Sequence, residues 1–257
     1  METTKQSYSD TFTIAWRCLL LSCRNPETFL TSILLPALMM LLFVSLFGSL
    51  IRVDGTSYTA YIVPGVLIQC AAQGSSTTAI MVNQDITRGI LSRFSTLPIR
   101  QGALLYGHVL EACARNLVTS AVVLVIALLL GFRPALTLTG LGITFLLLSG
   151  MILALSWLAV AVGILSKSAQ GASSLSSLAI VLPYLSSGFV PTEHLPPLLR
   201  TFARYQPMTP VIDAMRDALS GSPADAGTLG AALLWCALLT AVFCAASVLF
   251  LKRRLLG

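Results

Sequence analysis

Apolar and charged positions fall into long separate blocks along the chain. Five stretches, Thr28–Ile51, Gly55–Gln84, Pro134–Ser166, Ala169–Thr192 and Ala226–Leu251, contain no Asp, Glu, Lys or Arg. Each reaches the roughly 20 residues needed to cross a hydrocarbon core. A sixth, Asn116–Phe132, is shorter. It extends on its N-terminal side through Gly102–Leu110, where Glu111 and Arg115 stand four apart and can pair on one helix face. The pattern predicts six transmembrane helices, at about 28–50, 58–82, 104–132, 136–165, 171–190 and 229–251. A barrel would instead show short alternating strands. The predicted fold is an all-α polytopic membrane protein, one membrane domain over residues 1–257.

Between the second and third spans lies a basic island, Asn83–Arg100. Within it Ile86, Ile90, Phe94 and Leu97 recur at steps of four, four and three, which puts them on one helix face. Arg88, Ser92 and Ser95 fall opposite. The spacing predicts an amphipathic helix over 83–97, tied to two spans and able to receive mechanical input from a soluble partner. A second amphipathic stretch precedes the first span. Phe12, Trp16, Leu19 and Cys23 form its stripe, so 7–24 is predicted to lie in the membrane interface with Trp16 at headgroup depth. Pro26 then turns the chain into the first span. Met1–Asp10 is polar and no small-residue cleavage pattern follows, so no cleavable signal peptide is expected. Before the last span, 192–219 carries Leu198, Phe202 and Tyr205 on one face beside Arg200 and Arg204. Short external helices resting on the outer interface fit that composition.

Composition agrees with the blocks: 56% hydrophobic, 10% charged, mean hydropathy +0.85. A soluble chain of this length needs far more charge on its surface. With the N-terminus inside, eleven Lys and Arg fall on cytoplasmic segments and five on external ones. Both termini are therefore expected in the cytoplasm. The net charge of +6 reads as an orientation signal at an anionic leaflet, and nucleic acid is not an expected partner.

The chemistry of an enzyme is missing from the motifs. There is no GxxxxGK[ST] and no GxGxxG after a strand, so any ATP must be bound by another polypeptide. The six cysteines avoid the predicted external loops and imply no disulfide framework. His108 and His194 fall on opposite sides of the predicted topology, neither near a Cys pair, so no metal site is expected. Ser186-Ser187-Gly188-Phe189 has no histidine at matching depth, which disfavours an intramembrane serine protease. Charge-free span cores disfavour an ion channel or proton-coupled carrier.

Two faces inside the spans stand out. Gln69, Gln73, Ser76 and Thr77 share one face of the second span, where glutamines in lipid would be costly. Two readings stay open: hydrogen bonding between helices, or the lining of a substrate path. Gly171, Ser174 and Ser177 open the fifth span among small residues, a candidate packing or subunit interface.

The order of these parts resembles the membrane subunits of type-2 ABC exporters, in particular permeases of the daunorubicin-resistance and nodulation-factor export type. The carrying residues are Asp85–Pro98, DITRGILSRFSTLP, and Tyr205–Leu219, YQPMTPVIDAMRDAL. The resemblance implies a permease without its own ATPase site, paired with a second, identical or different permease subunit. A cytoplasmic ABC ATPase would use ATP and Mg, and this chain itself would bind no cofactor. It implies that 83–97 is a coupling helix docking in the ATPase through Asp85, Ile86, Arg88, Ile90, Arg93, Phe94 and Leu97. Trp16 and Arg17 of the interfacial helix would make a second ATPase contact, and spans one and five a dimer interface. The expected function is ATP-driven export of a hydrophobic or amphipathic molecule, such as a drug, lipid or natural product, across a bacterial cytoplasmic membrane. The alternatives are a membrane assembly or anchoring protein that does not transport, and a secondary carrier or channel.

Overall fold

A computed structural model of the chain describes residues 13–22, 26–48, 52–53, 56–89, 102–135, 137–194, 196–222 and 225–256. Its regular elements are α1 (Thr13–Ser22), α2 (Pro26–Phe47), α3 (Tyr58–Thr87), α4 (Gly102–Leu129), α5 (Leu138–Leu165), α6 (Ala169–Val181), α7 (Pro197–Tyr205), α8 (Met208–Ser220) and α9 (Ala226–Leu256). A 3-10 turn, Thr192–His194, precedes α7. Two strands of two residues each, Arg52–Val53 and Thr56–Ser57, pair antiparallel between α2 and α3.

Among the described residues, four helices are long and apolar enough to cross a membrane: α2, α4, α5 and α9. The six-span expectation meets two elements of another kind. α3 has 30 residues but carries a polar face, and α6 has only 13. The fifth span was predicted over 171–190, yet α6 ends at Val181 and turns follow to Gly188 or beyond. Pro183 lacks the N–H that would continue the ladder, so the helix stops just before it.

Side-chain caps set several helix starts. Thr137 Oγ1 accepts from Gly140 N–H at 3.2 Å, and Ser168 Oγ accepts from Gly171 N–H at 3.1 Å. Asp225 Oδ2 accepts from Thr228 N–H and Oγ1–H, both at 2.9 Å, at the start of α9.

α3 is the central helix and packs against α2, α4, α5, α6 and α8. A close crossing brings it to the turns after α6. A Cβ on Gly65 would lie 2.6 Å from Gly188 O and 2.7 Å from Gly188 Cα, so only glycine fits. Tyr58 Oη–H donates to Phe189 O at 2.9 Å, and Tyr184 stacks on Phe189. Arg216 of α8 closes this end of the bundle. Its guanidinium lies 4.0 Å from the Tyr61 ring centroid and donates to Asp213 Oδ1, Ser187 O and Tyr61 O.

The opposite end has its own apolar core, with Ile14 and Cys18 from α1, Val82 and Ile86 from α3, Leu104 from α4, Ile164 from α5 and Leu251 from α9. The described N-terminal helix and the last helix therefore meet at one end, the Asp85 end. Outward-facing leucines run along α2 (Leu34, Leu38, Leu41) and α6 (Leu175, Leu178), as expected for surfaces that meet lipid or another apolar surface.

Candidate functional site

The basic island begins as a continuation of α3. Nothing between Val82 and Thr87 breaks a helix, so α3 runs past the predicted 58–82 span to Thr87. It ends at Arg88 and Gly89, whose φ of 70° is left-handed and suits a residue without a Cβ. Asn83, Asp85 and Ile86, predicted to open a separate helix over 83–97, are instead buried in the last turns of α3. Asn83 Nδ2–H donates to Gly163 O at 3.1 Å and Ser166 O at 2.6 Å, tying this end to the end of α5. Arg88 is exposed. Ile90, Arg93, Phe94 and Leu97 lie outside the described residues.

Asp85 spends its charge within the chain. Arg17 Nη1 of α1 is 3.1 Å from Asp85 Oδ2, and His108 Nε2 of α4 is 3.2 Å from the same oxygen. Burial pushes the Asp85 carboxyl up, but the hydrogen bonds from His108 and Arg17 outweigh it and hold it below the ordinary value. The Asp85 hydrogen bond also raises Arg17 above its usual range, against the opposing effect of burial. Cys18 Sγ lies 3.7 Å from His108 Nδ1. α1 is thus joined to both helices that flank the island. Gly107 lets it sit close, since a Cβ there would be 2.5 Å from Ile14 Cγ2. Trp16, 53% exposed, points away from this contact.

A second junction joins α3 to α4 deeper in the bundle. Arg115 donates from Nε to Glu111 Oε1 at 2.9 Å, the pairing expected from their spacing. From Nη2 it donates to Thr78 Oγ1 at 2.8 Å and Gly74 O at 3.2 Å. Asn116 packs against Gly74 so closely that a Cβ there would be 1.7 Å from Asn116 Oδ1. A buried ion pair with these added bonds fixes the relative position of two helices. α3 and α4 therefore form one braced hairpin, held at Arg115 and again at Asp85, with 90–101 between its ends.

The predicted path residues divide. Gln69 is fully buried and donates from Nε2 to Tyr184 Oη, and Ser76 Oγ lies 3.2 Å from Ser173 Oγ of α6. These two make contacts between packed segments. Gln73 and Thr77 are half-buried, and they continue through Ile80 and Gln84 to Arg88 as one edge of α3. Thr77, Gln84, Asp85 and Arg88 also line a cleft of about 240 Å³ whose other wall is Leu21 and Ser22 of α1. Of the small residues of α6, Gly171 and Ser177 are half-buried and Ser174 is exposed, on the side of Leu175 and Leu178.

Sequence reasoning missed two features of this site. The meeting of Cys18, Asp85 and His108 joins residues as far as 90 positions apart and needs three packed helices. The inward turn of Asp85 had a readable signal only in part: an acid at a helix end beside two basic or ionisable residues elsewhere.

Comparison with known proteins gives this geometry its setting. The family model of the ABC-2 type transporter matches residues 9–220. "Daunorubicin resistance ABC transporter permease protein DrrB1" of Streptomyces coeruleorubidus is 30% identical over 236 residues, covering 91% of this chain and 83% of that protein. "Probable doxorubicin resistance ABC transporter permease protein DrrC" of Mycobacterium tuberculosis is 29% identical, covering 83% of this chain and 78% of that one. The match spans α1, the braced hairpin, the Arg216 end and the buried Asp85 junction alike, and the chain belongs to the ABC-2 type transporter family, as a permease subunit of an ABC exporter.

Proposed function

We propose that this chain carries a hydrophobic or amphipathic molecule out of the cytoplasm, driven by a separate ATPase that engages the segment between α3 and α4. The observation that carries the reading is the bracing of α3 to α4 by Arg115, Thr78, Gly74 and Glu111. A hairpin held in this way moves as a unit, so a push on residues 88–97 is passed to both helices instead of being absorbed as bending. ATP and Mg act in the partner: closure of two ATPase subunits displaces the segment, and the hairpin tilts between two packings of the bundle. Arg88 and Arg93 are the ion-pair partners offered to the ATPase, and Ile90, Phe94 and Leu97 the apolar anchors. Asp85 and Ile86 hold the base of that segment and do not contact the partner. Trp16 extends the docking surface onto α1, with Arg17 serving as the tie to Asp85.

In this reading the chain crosses the membrane six times. α3 and α6 with its following turns make the two crossings beyond the four apolar helices, and both termini face the cytoplasm. The support is the shared end of α1 and α9 together with the eleven-to-five excess of Lys and Arg. Two copies, identical or different, pair through the exposed faces of α2 and α6, with Gly171, Ser174 and Ser177 at the contact. The half-open edge Gln73–Thr77–Gln84 faces the path between them. A mixed polar and apolar edge suits an amphipathic substrate, and the relatives named for daunorubicin and doxorubicin resistance point to the same class. The test is substrate-stimulated ATP hydrolysis by the reconstituted complex. Amphipathic drugs or lipids should raise the rate in a saturable way; a rate indifferent to all of them contradicts the assignment.

A further inference from the structure

Cys18 of α1, Asp85 of α3 and His108 of α4 each offer one metal-ligand atom, and these atoms lie within 4.8 Å of one another. All three residues are buried, with Cys18 at 0% and His108 at 1% exposure. Transport as described above uses Asp85 as a tie but gives no role to a thiol and an imidazole that face each other at 3.7 Å. A thiolate, an imidazole and a carboxylate together form a borderline-soft donor set. That set suits Zn²⁺ and is unlike the all-oxygen cages of Ca²⁺ or Mg²⁺. Zinc bonds of about 2.0–2.3 Å at tetrahedral angles put neighbouring ligand atoms roughly 3.3–3.5 Å apart. Asp85 Oδ2 lies 3.2 Å from His108 Nε2, and Cys18 Sγ lies 3.7 Å from His108 Nδ1, each close to that spacing on its own nitrogen. These two contacts use opposite nitrogens of the imidazole. A cation binds only one of them, so the ligand that faces the other nitrogen must close in by side-chain rotation from a separation of at most 4.8 Å.

The competing cation is Arg17, whose Nη1 already sits 3.1 Å from Asp85 Oδ2. Its side chain is 39% exposed, so it can swing to solvent or lipid headgroups while the three ligands stay buried. We propose that Cys18, Asp85 and His108 form a zinc site, filled when Arg17 leaves Asp85, that fastens α1 to the ends of α3 and α4. Binding releases the Cys18 thiol proton and the proton held on the ligating His108 nitrogen, both to solvent; nothing is oxidised or reduced. Water completes the coordination shell.

The full-length chain, purified with any affinity tag removed and stripped with a chelator, is titrated with Co²⁺ and then Zn²⁺. The expected result is one bound metal per chain, a near-ultraviolet thiolate-to-cobalt band, and loss of that band as Zn²⁺ displaces Co²⁺. Cys18→Ser should abolish the band and weaken Zn²⁺ by more than about tenfold, whereas Cys236→Ser, at another buried thiol, should leave both unchanged. Arg17→Gln removes the competitor and should tighten binding. Because Cys18→Ser changes one atom in place, it tests the site even where His108 or Asp85 variants fail to fold. Absence of the band, its survival in Cys18→Ser, or unchanged or weaker binding in Arg17→Gln overturns the proposal.

Discussion

Arg115 is a full positive charge at 4% exposure, and its four donated hydrogen bonds hold Glu111, Gly74, Thr78 and Asn116 in place. Removing it leaves the Glu111 carboxylate buried without its cation. Arg115→Met should cost about 3–5 kcal/mol of stability, while the double variant with Glu111→Gln should recover most of that loss. Thermal unfolding of the purified chain checks both, and equal losses in the two would contradict the role given to the pair. The two glutamines separate by environment. Gln69→Leu removes the partner of the half-buried Tyr184 hydroxyl and should lower stability by about 1–3 kcal/mol with the substrate profile kept. Gln73→Leu, on the half-open edge, should shift the profile with little change in stability; drug-stimulated ATPase measurements on both variants decide it. At this scale the sequence was readable where partners are near neighbours. The step of four between Glu111 and Arg115 announced their pairing, whereas the Arg17–Asp85–His108 junction depends on how three helices pack, which no local spacing encodes.

Single elements carry the clearest limits of packing. Gly65 of α3 meets the Gly188 backbone so closely that a methyl group has nowhere to go, and backbone yields less than a side chain. Gly65→Ala should destabilise the chain by about 1–3 kcal/mol, read as a lower unfolding temperature, and a neutral effect would contradict the crossing. Helix ends were the least legible feature. The stripe of Ile86, Ile90, Phe94 and Leu97 marks a helical period but not where one helix yields to another. With no breaker before Gly89, α3 simply continues through Thr87. The reverse holds for the fifth predicted span, where the apolar run to Val190 concealed Pro183 and α6 stops at Val181. Hydropathy reports which residues tolerate lipid; it is blind to a ladder broken within an apolar stretch.

At the scale of the whole molecule, burial explains why a permease of this kind was recognisable at all. The apolar blocks, the basic island and the amphipathic segments at both ends of the bundle are each set by contact with lipid or water, and both leave periodic signatures. Contacts between helices leave none, so the central place of α3 and the two junctions that brace it to α4 and α1 required the packed structure. Together they hold α3 and α4 as one braced hairpin. The central claim is that the partner ATPase delivers its push at residues 88–97. The most direct measurement is copurification and transport by the complex carrying Arg93→Ala with Phe94→Ala, beside the unaltered complex. The account predicts a folded permease of normal thermal stability that no longer retains the ATPase and no longer exports; retained docking with unchanged export would contradict it.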